Sequence, residues 1–447
     1  MKRTTTAIAV AAAASMLALS ACSSGASDDA TGDAVTLNYW LWDDTQLAAY
    51  QTCADAFHEA NPNITVDITQ TSWSQYWTNL STQITAGTAP DVFTNQISYF
   101  MQFVDNNQLL DLSSLVDDGD VDLTAYKDGL AERWVSDDAR YGLPKDWDVE
   151  GLLYNVDVAT AAGYTADDIA ALTWNPDDGG TFGDFIKAMS LDSSGRNGLD
   201  PDYDASAVVR YGFYPEWGDG ANGQNGWGNL AVSNGFTFSD DEGVATTFNY
   251  DSEPLVETMT WYQQMIDGGY MPQYDEQSSL GTETVMTSVT AASTFAGSFV
   301  APTYLSSDQT VSFAYATVPE GPEGRTAATN GLADSVWAGT EHQDEALQWV
   351  AYLGSAECQD SVGATGVVYP AVTSGTEASL AARAAEGVDD SAFTSVADAG
   401  ETFLLPIFSD ASQVNTAIQD AMTAIAQGAD PQETLSTANE TVEALFQ

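Results

Sequence analysis

The segment Lys145-Asp146-Trp147-Asp148 sets one indole between two short carboxylates and beside an ammonium. Trp42-Asp43 repeats the pairing of ring and acid near the start of the chain, with Asn95 and Tyr99 not far behind. Trp217 and Trp227 bracket a run of glycine, asparagine, glutamine and aspartate that would be costly to order unless its rings packed on something. Phe295, Ser298, Asn330 and Tyr369 are further candidates for the same site. Aromatic planes cover C–H surfaces at little loss of rotamer freedom, while carboxylates and amides bond in fixed directions. A pyranose offers both kinds of surface, and each of its buried hydroxyls needs a partner because an unpaired polar group costs about 1–3 kcal/mol. With 12 tryptophans in the chain, several platforms are available, which suits an oligosaccharide better than a monosaccharide. The same residues have structural readings: Trp42 can cover a strand end, Asp43 or Asp44 can cap the next helix, and Trp147 can pack at a hinge.

Other chemistries fit less well. His58 and His342 fall in helical patterns without zinc-ligand spacing, and the chain has no nucleophile elbow, P-loop or dinucleotide-binding glycine motif. Asp118-Gly119-Asp120-Val121-Asp122 matches a calcium loop only in part, lacking its glycine and terminal glutamate, and reads as an acidic turn. No catalytic residue, metal or cofactor is expected. The main alternative is a secreted glycoside hydrolase, for which Asp43 and Asp146 would be the pair to suspect. A carbohydrate adhesin without a transport role is the third reading.

The formal charge is −54, from 65 acidic against 11 basic residues. Such a surface repels phosphate backbones, so nucleic acid is excluded and neutral ligands are favoured over anionic ones. Local positive potential at Lys145 or Arg325 is the exception. Lys2 and Arg3, the apolar run Ala7 to Leu19, and small residues leading to Cys22 read as an export signal over 1–21. Leu19-Ser20-Ala21-Cys22 has the form of a bacterial lipobox, which makes Cys22 the expected lipidation site on the extracellular face of the cell membrane. Residues 22–34 are small, polar and acidic and read as a flexible tether. Cys53 and Cys358 then remain; both lie in amphipathic helical patterns, and buried free thiols are expected, a disulfide being allowed but not implied.

These residues need a frame. Val35 to Trp40 alternates as a strand; Leu47, Tyr50, Ala54 and Phe57 recur at helical spacing until Asn61-Pro62; Ile64 to Ile68 is a second strand. Trp77, Leu80 and Ile84 mark another helix closed at Gly87, and Asp91-Val92-Phe93 begins a third strand. This order predicts an α/β fold with a mostly parallel sheet and ligand contacts at the strands' carboxyl ends. Thr282 to Ala292 reads as an extended run. Glu341 to Leu353, Ala411 to Ala426 and the segment after Asp430-Pro431 read as helices.

The sequence also resembles the family-1 extracellular solute-binding proteins of ABC sugar importers, the group that includes maltose-binding protein. The likeness runs through Trp40-Leu41-Trp42-Asp43, Phe57-His58-Glu59-Ala60-Asn61-Pro62-Asn63-Ile64, Ile84-Thr85-Ala86-Gly87-Thr88-Ala89-Pro90-Asp91-Val92, and Tyr141-Gly142-Leu143-Pro144 with Tyr154-Asn155. It implies a two-lobe periplasmic-binding-protein-like α/β fold with an interlobe hinge and a central ligand cleft. It also implies a neutral oligosaccharide ligand, an importer permease as partner, a monomeric folded body and no catalysis. The crossings are expected near 146–150, 284–292 and 338–345. The N-terminal lobe would then comprise 35–147 and 293–340, and the C-terminal lobe 148–292 and 341–447.

Overall fold

Val35–Leu41 (β1) buries alternate side chains along its first half, and every residue from Tyr39 to Leu41 is buried where the strand enters the core. It pairs in parallel with Ile64–Gln70 (β2) and with Val92–Gln96 (β3). Leu47–Ala60 (α1) and Trp73–Ala86 (α2) are the intervening crossovers, and Ile97–Asp105 (α3) follows β3 directly. Gly87 ends α2 at φ 70°, a left-handed position that a residue without Cβ adopts at no steric cost. The first block is thus parallel, as expected, and the computed structural model carries it into a mixed sheet. It describes residues 34–241, 243–277, 281–306 and 309–447; the expected export signal, Cys22 and nearly all of the tether lie outside the described residues. Among the described residues no helix is long and apolar enough to cross a membrane.

Two long strands join the lobes. Leu143–Asn155 is buried at all 13 positions. Its first half, to Val149, pairs antiparallel with Ala327–Val336, which in turn pairs with β3. Its second half, from Glu150, pairs instead with Ser293–Gly297 and Phe313–Ala316. One continuous strand therefore pairs with two separate sets of strands and changes partners between Val149 and Glu150.

Strands Ser293–Gly297 and Phe313–Ala316 lie beside the distal half of the long strand, and Ala327–Val336 lies beside its first half. Thr282–Thr287 is a helix, not an extended run; Val285 and Met286 are adjacent in sequence and both buried, which a helix turn allows and an alternating strand does not. Helices Gln343–Leu353 and Ala356–Gly363 pack on the first lobe: Trp349 meets Phe57 of α1 with ring centroids 5.1 Å apart and Tyr39 of β1 at 5.9 Å.

Cys53 of α1 and Cys358 form a disulfide, with Cα atoms 5.4 Å apart across 305 residues of sequence. Free thiols were expected because neither local pattern reports a contact between segments so distant. The helices Ala411–Ala426 and Pro431–Glu443 stand where expected, the latter capped by Asp430, whose carboxylate accepts from Glu433 N at 2.9 Å.

Trp134, Trp174, Trp261 and Trp349 are all below 2 % exposed. They account for a third of the tryptophans as core.

Candidate functional site

A cleft of about 1200 Å³ opens where the carboxyl ends of β1 and β3 face the second lobe. Its first-lobe wall is aromatic. Trp42 leaves β1 and meets Trp73 and Trp77, one helical turn apart at the start of α2, at centroid distances of 5.2 and 5.6 Å. Trp77 stacks on Tyr99 of α3 at 3.9 Å with planes 9° apart. Trp73 is 42 % exposed, so its ring is open to a visiting surface. Each ring is braced by another, which fixes the wall before anything binds.

The floor is the long crossing strand. Its period of two puts Asp146, Asp148 and Glu150 on one face. The opposite face is occupied. Lys145 Nζ receives no cleft exposure: it donates to Tyr39 Oη at 2.7 Å, lies 3.9 Å from Asp334 Oδ1 and sits 3.2 Å from the Tyr50 ring centroid. Trp147 reaches the cleft, but its Nε1 donates to Thr376 Oγ1 at 3.0 Å, Lys127 Nζ lies 4.4 Å from its ring centroid, and Tyr369 covers it at 5.2 Å.

The second-lobe wall is polar and comes mainly from the loop 216–226. Gln224 Nε2 donates to Asp148 Oδ1 at 3.0 Å and to Glu150 Oε1 at 3.2 Å. Asp219 Oδ2 accepts from Asn225 N at 2.6 Å. Asn222 Nδ2 crosses to the first lobe and donates to Ser98 Oγ of α3 at 2.8 Å. Asn415 and Gln419 of the helix Ala411–Ala426 hold the loop from behind: Asn415 Oδ1 accepts from Ala221 N at 3.0 Å, and Gln419 Nε2 donates to Trp217 O.

Burial shifts the acids of this region upward. Asp148 is pushed up to about 6, against hydrogen bonds from Asn330 N and the Gln224 amide that favour its charged form. Asp219 is pushed up to about 7 by burial and by neighbouring Glu216. Asp146 is raised by burial despite the pull of Lys145, and Glu150 is raised well above the usual carboxylate range by burial and by Asp148 and Asp219. Several buried polar atoms of cleft residues have no partner within the protein: the acceptors Asp146 Oδ2, Gln96 Oε1 and Asn222 Oδ1, and the donors Trp77 Nε1 and Asn415 Nδ2.

Of the candidates from sequence, the cleft brings together Trp42, Asp43, Tyr99, Asp146, Trp147, Asp148 and Asn330. Asp43 does not cap α1, whose N-cap is Gln46. Its carboxylate instead closes the turn before the helix, accepting from Thr45 N at 2.9 Å and Gln46 Nε2 at 3.0 Å. The others stand elsewhere. Asn95 is inside β3, fully buried, with Nδ2 donating to Ser335 Oγ at 3.2 Å. Trp217 packs on Tyr262, and Trp227 on Phe236, Phe238 and Tyr250, so both rings anchor the loop's ends while the polar residues between them face the cleft. Phe295 lies among Phe182 and Phe213; Ser298 Oγ accepts from Val149 N at 3.3 Å; Tyr369 bonds to Asp390 and carries Arg383 4.5 Å over its ring. Sequence reasoning missed Trp73, Gln96, Glu216, Asp219, Asn222, Gln224, Phe299 and Tyr304 as lining residues. For the loop residues a signal existed in the polar run between the two tryptophans. Among the described residues no cluster could hold a metal ion.

The chain matches the family described as bacterial extracellular solute-binding protein over residues 52–394. Its fold is similar to that of UspC from M. tuberculosis, at 24% identity and TM-score 0.69, covering 92% of this chain and 100% of that one. An ABC substrate-binding protein from Listeria monocytogenes in complex with cycloalternan superposes at TM-score 0.78 with 18% identity, covering 92% and 99%. The GacH receptor of Streptomyces glaucescens, solved unliganded and with acarbose, gives 0.72 with 17% identity, covering 92% and 98%.

Proposed function

The chain belongs to the bacterial extracellular solute-binding protein family, and from that premise we propose that it captures an oligosaccharide outside the cell and delivers it to an ABC importer permease. The observation that carries this reading is the pairing of walls: braced rings on one side of the cleft, amides and carboxylates on the other. Rings take the C–H faces of a pyranose, while unpartnered acceptors and donors together suit hydroxyls, which do both. The cleft volume of about 1200 Å³ exceeds the roughly 300–1,000 Å³ usual for small-ligand sites and leaves room for more than one sugar ring. Relatives of the same fold are described with the oligosaccharides cycloalternan and mannotriose, which supports the class without naming the member.

On this reading Cys22 carries the lipid anchor at the extracellular face of the cell membrane, 22–34 is the tether, and the folded body is a monomeric carrier without catalysis. The lobe division that goes with it assigns β1 to β3 and the helices over 343–363 to one lobe and the strands at 293–316 to the other. The test is calorimetric titration of the purified protein against a panel of linear and cyclic oligosaccharides, with thin-layer chromatography of the same mixtures. Stoichiometric binding without cleavage is expected. Release of shorter sugars would move the protein to the glycoside hydrolases, and binding to insoluble polymer alone would favour an adhesin.

A further inference from the structure

The overall charge disfavours anionic ligands, but the cleft is more selective than that. Its lining includes Asp43, Asp146, Asp148, Glu216, Asp219 and Glu283, and among the described residues no lysine, arginine or histidine lines it. Asp146 and Asp148 are 3 and 8 % exposed and Glu150, on the same face of the strand, is fully buried, with one glutamine amide shared between the last two. The nearest cations are committed elsewhere. Lys145 is held behind the strand by Tyr39 and Asp334, and Arg133 donates to Leu405 O at 3.0 Å. Three further observations point into the cleft: Asp146 Oδ2, Gln96 Oε1 and Asn222 Oδ1 are acceptors, each on a residue at most 7 % exposed, and none has a donor. Lys145 and Arg133 act on Asp146 and Asp148 only from behind the lining, so the three unpartnered acceptors are left to something that binds.

Resting on the carbohydrate reading, we infer that the cleft selects sugars carrying a protonated amino group, with the ammonium lodged against Asp146 and Asp148 at the foot of the aromatic wall. An ammonium has three donors and no acceptor, which matches the unpartnered acceptors Asp146 Oδ2, Gln96 Oε1 and Asn222 Oδ1, while the unpartnered donors Trp77 Nε1 and Asn415 Nδ2 are left to the sugar's hydroxyls. It also neutralises charge that a neutral sugar leaves in place. The raised positions of Asp148 and Asp219 fit the same arrangement, since a bound cation would draw both acids into their charged forms and release protons. The charged groups facing this floor are Asp43, Asp334 and Lys145 around Asp146, Arg133 near Asp148, and Glu216 beside Asp219.

The experiment is calorimetry on the full-length protein with two matched pairs of probes. One pair is the β-1,4 glucosamine trimer against cellotriose; the other is acarbose, which has an amine in place of one glycosidic oxygen, against maltotetraose. In at least one pair the amine member should bind at least about tenfold more tightly. That ratio should shrink in Asp146→Asn and in Asp148→Asn, a second variant in case the first does not fold. Amine affinity should also rise above about pH 5 as Asp148 ionises and again toward about pH 8 as Asp146 does, with protons released into buffers of different ionisation enthalpy. Neutral members that bind as tightly as their amine partners would overturn this inference and leave the carbohydrate reading standing. Failure of all four probes would overturn this inference and leave the carbohydrate reading to the wider oligosaccharide panel.

Discussion

On the first-lobe side of the cleft, Trp42, Trp73, Trp77 and Tyr99 brace one another edge to face and face to face, and three separate elements contribute them. On the second-lobe side, Glu216, Asp219, Asn222 and Gln224 come from one loop, pinned at its ends by Trp217 and Trp227 and from behind by Asn415. The first wall is rigid and indifferent to the direction in which a hydroxyl points. The second is directional and rejects a misplaced hydroxyl, because the group opposite would be left unpaired. On the proposed function, affinity and selectivity would be housed on different parts of the chain, and each could be damaged separately.

The largest effect is expected for Trp77→Ala, which removes a ring that is 9 % exposed from the centre of the aromatic wall. It should lower the unfolding free energy by about 3–5 kcal/mol in urea denaturation and weaken all sugars alike. A change in rank order among sugars would break the division between walls. Replacing Cys53 and Cys358 together by serine should cost about 2–5 kcal/mol of stability, by the same measurement, because the bond closes a loop of 305 residues. Sugar preference should not move, since the bond ties α1 to the far side of the first lobe.

The acids of the floor and the polar loop give a pH signature. Asp148 and Asp219 lie higher in the folded chain than the ordinary carboxylate value, so folding favours their protonated forms. Their stabilising contribution is complete below about pH 4 and disappears as pH rises through about 6 to 7. Calorimetric melting should therefore show the ligand-free protein losing about 4 kcal/mol between pH 5 and pH 8 from these groups. Asn222→Ala removes the bond to Ser98 across the cleft and should shift selectivity among epimers by about 1–3 kcal/mol, while small-angle scattering reports a more open ligand-free form. The smallest effect is expected for the exposed ring: Trp73→Ala should weaken binding by about 0.5–1.5 kcal/mol, equally across sugars, with stability nearly unchanged.

The first α/β block was legible in the sequence because its signals are local. Helical spacing and Asn61-Pro62 bounded α1, Gly87 closed α2, and Asp430-Pro431 opened the last helix. What joins distant segments was not. The pairing of Leu143–Asn155 with two separate sets of strands and the disulfide both depend on partners at least 130 residues away, and no periodicity encodes them. The site was half legible for a similar reason. Residue types picked out Trp42, Tyr99, Asp146 and Asp148, which line the cleft. They could not say that the rings of Trp217 and Trp227 turn inward while the amides between them turn outward. Trp73 was overlooked because the helical pattern of α2 was read from Trp77, Leu80 and Ile84, the face that packs on the sheet.

The strand Leu143–Asn155 has a mechanical consequence. It is at once the strand that holds Asp146, Asp148 and Glu150 in a row and the strand that pairs with two separate sets of strands. Any rotation of one lobe against the other twists this row, fanning its three carboxylates apart or lining them up. A molecule held by Asp146 and Asp148 would thus bear on the twist of this strand directly, with no relay between site and strand.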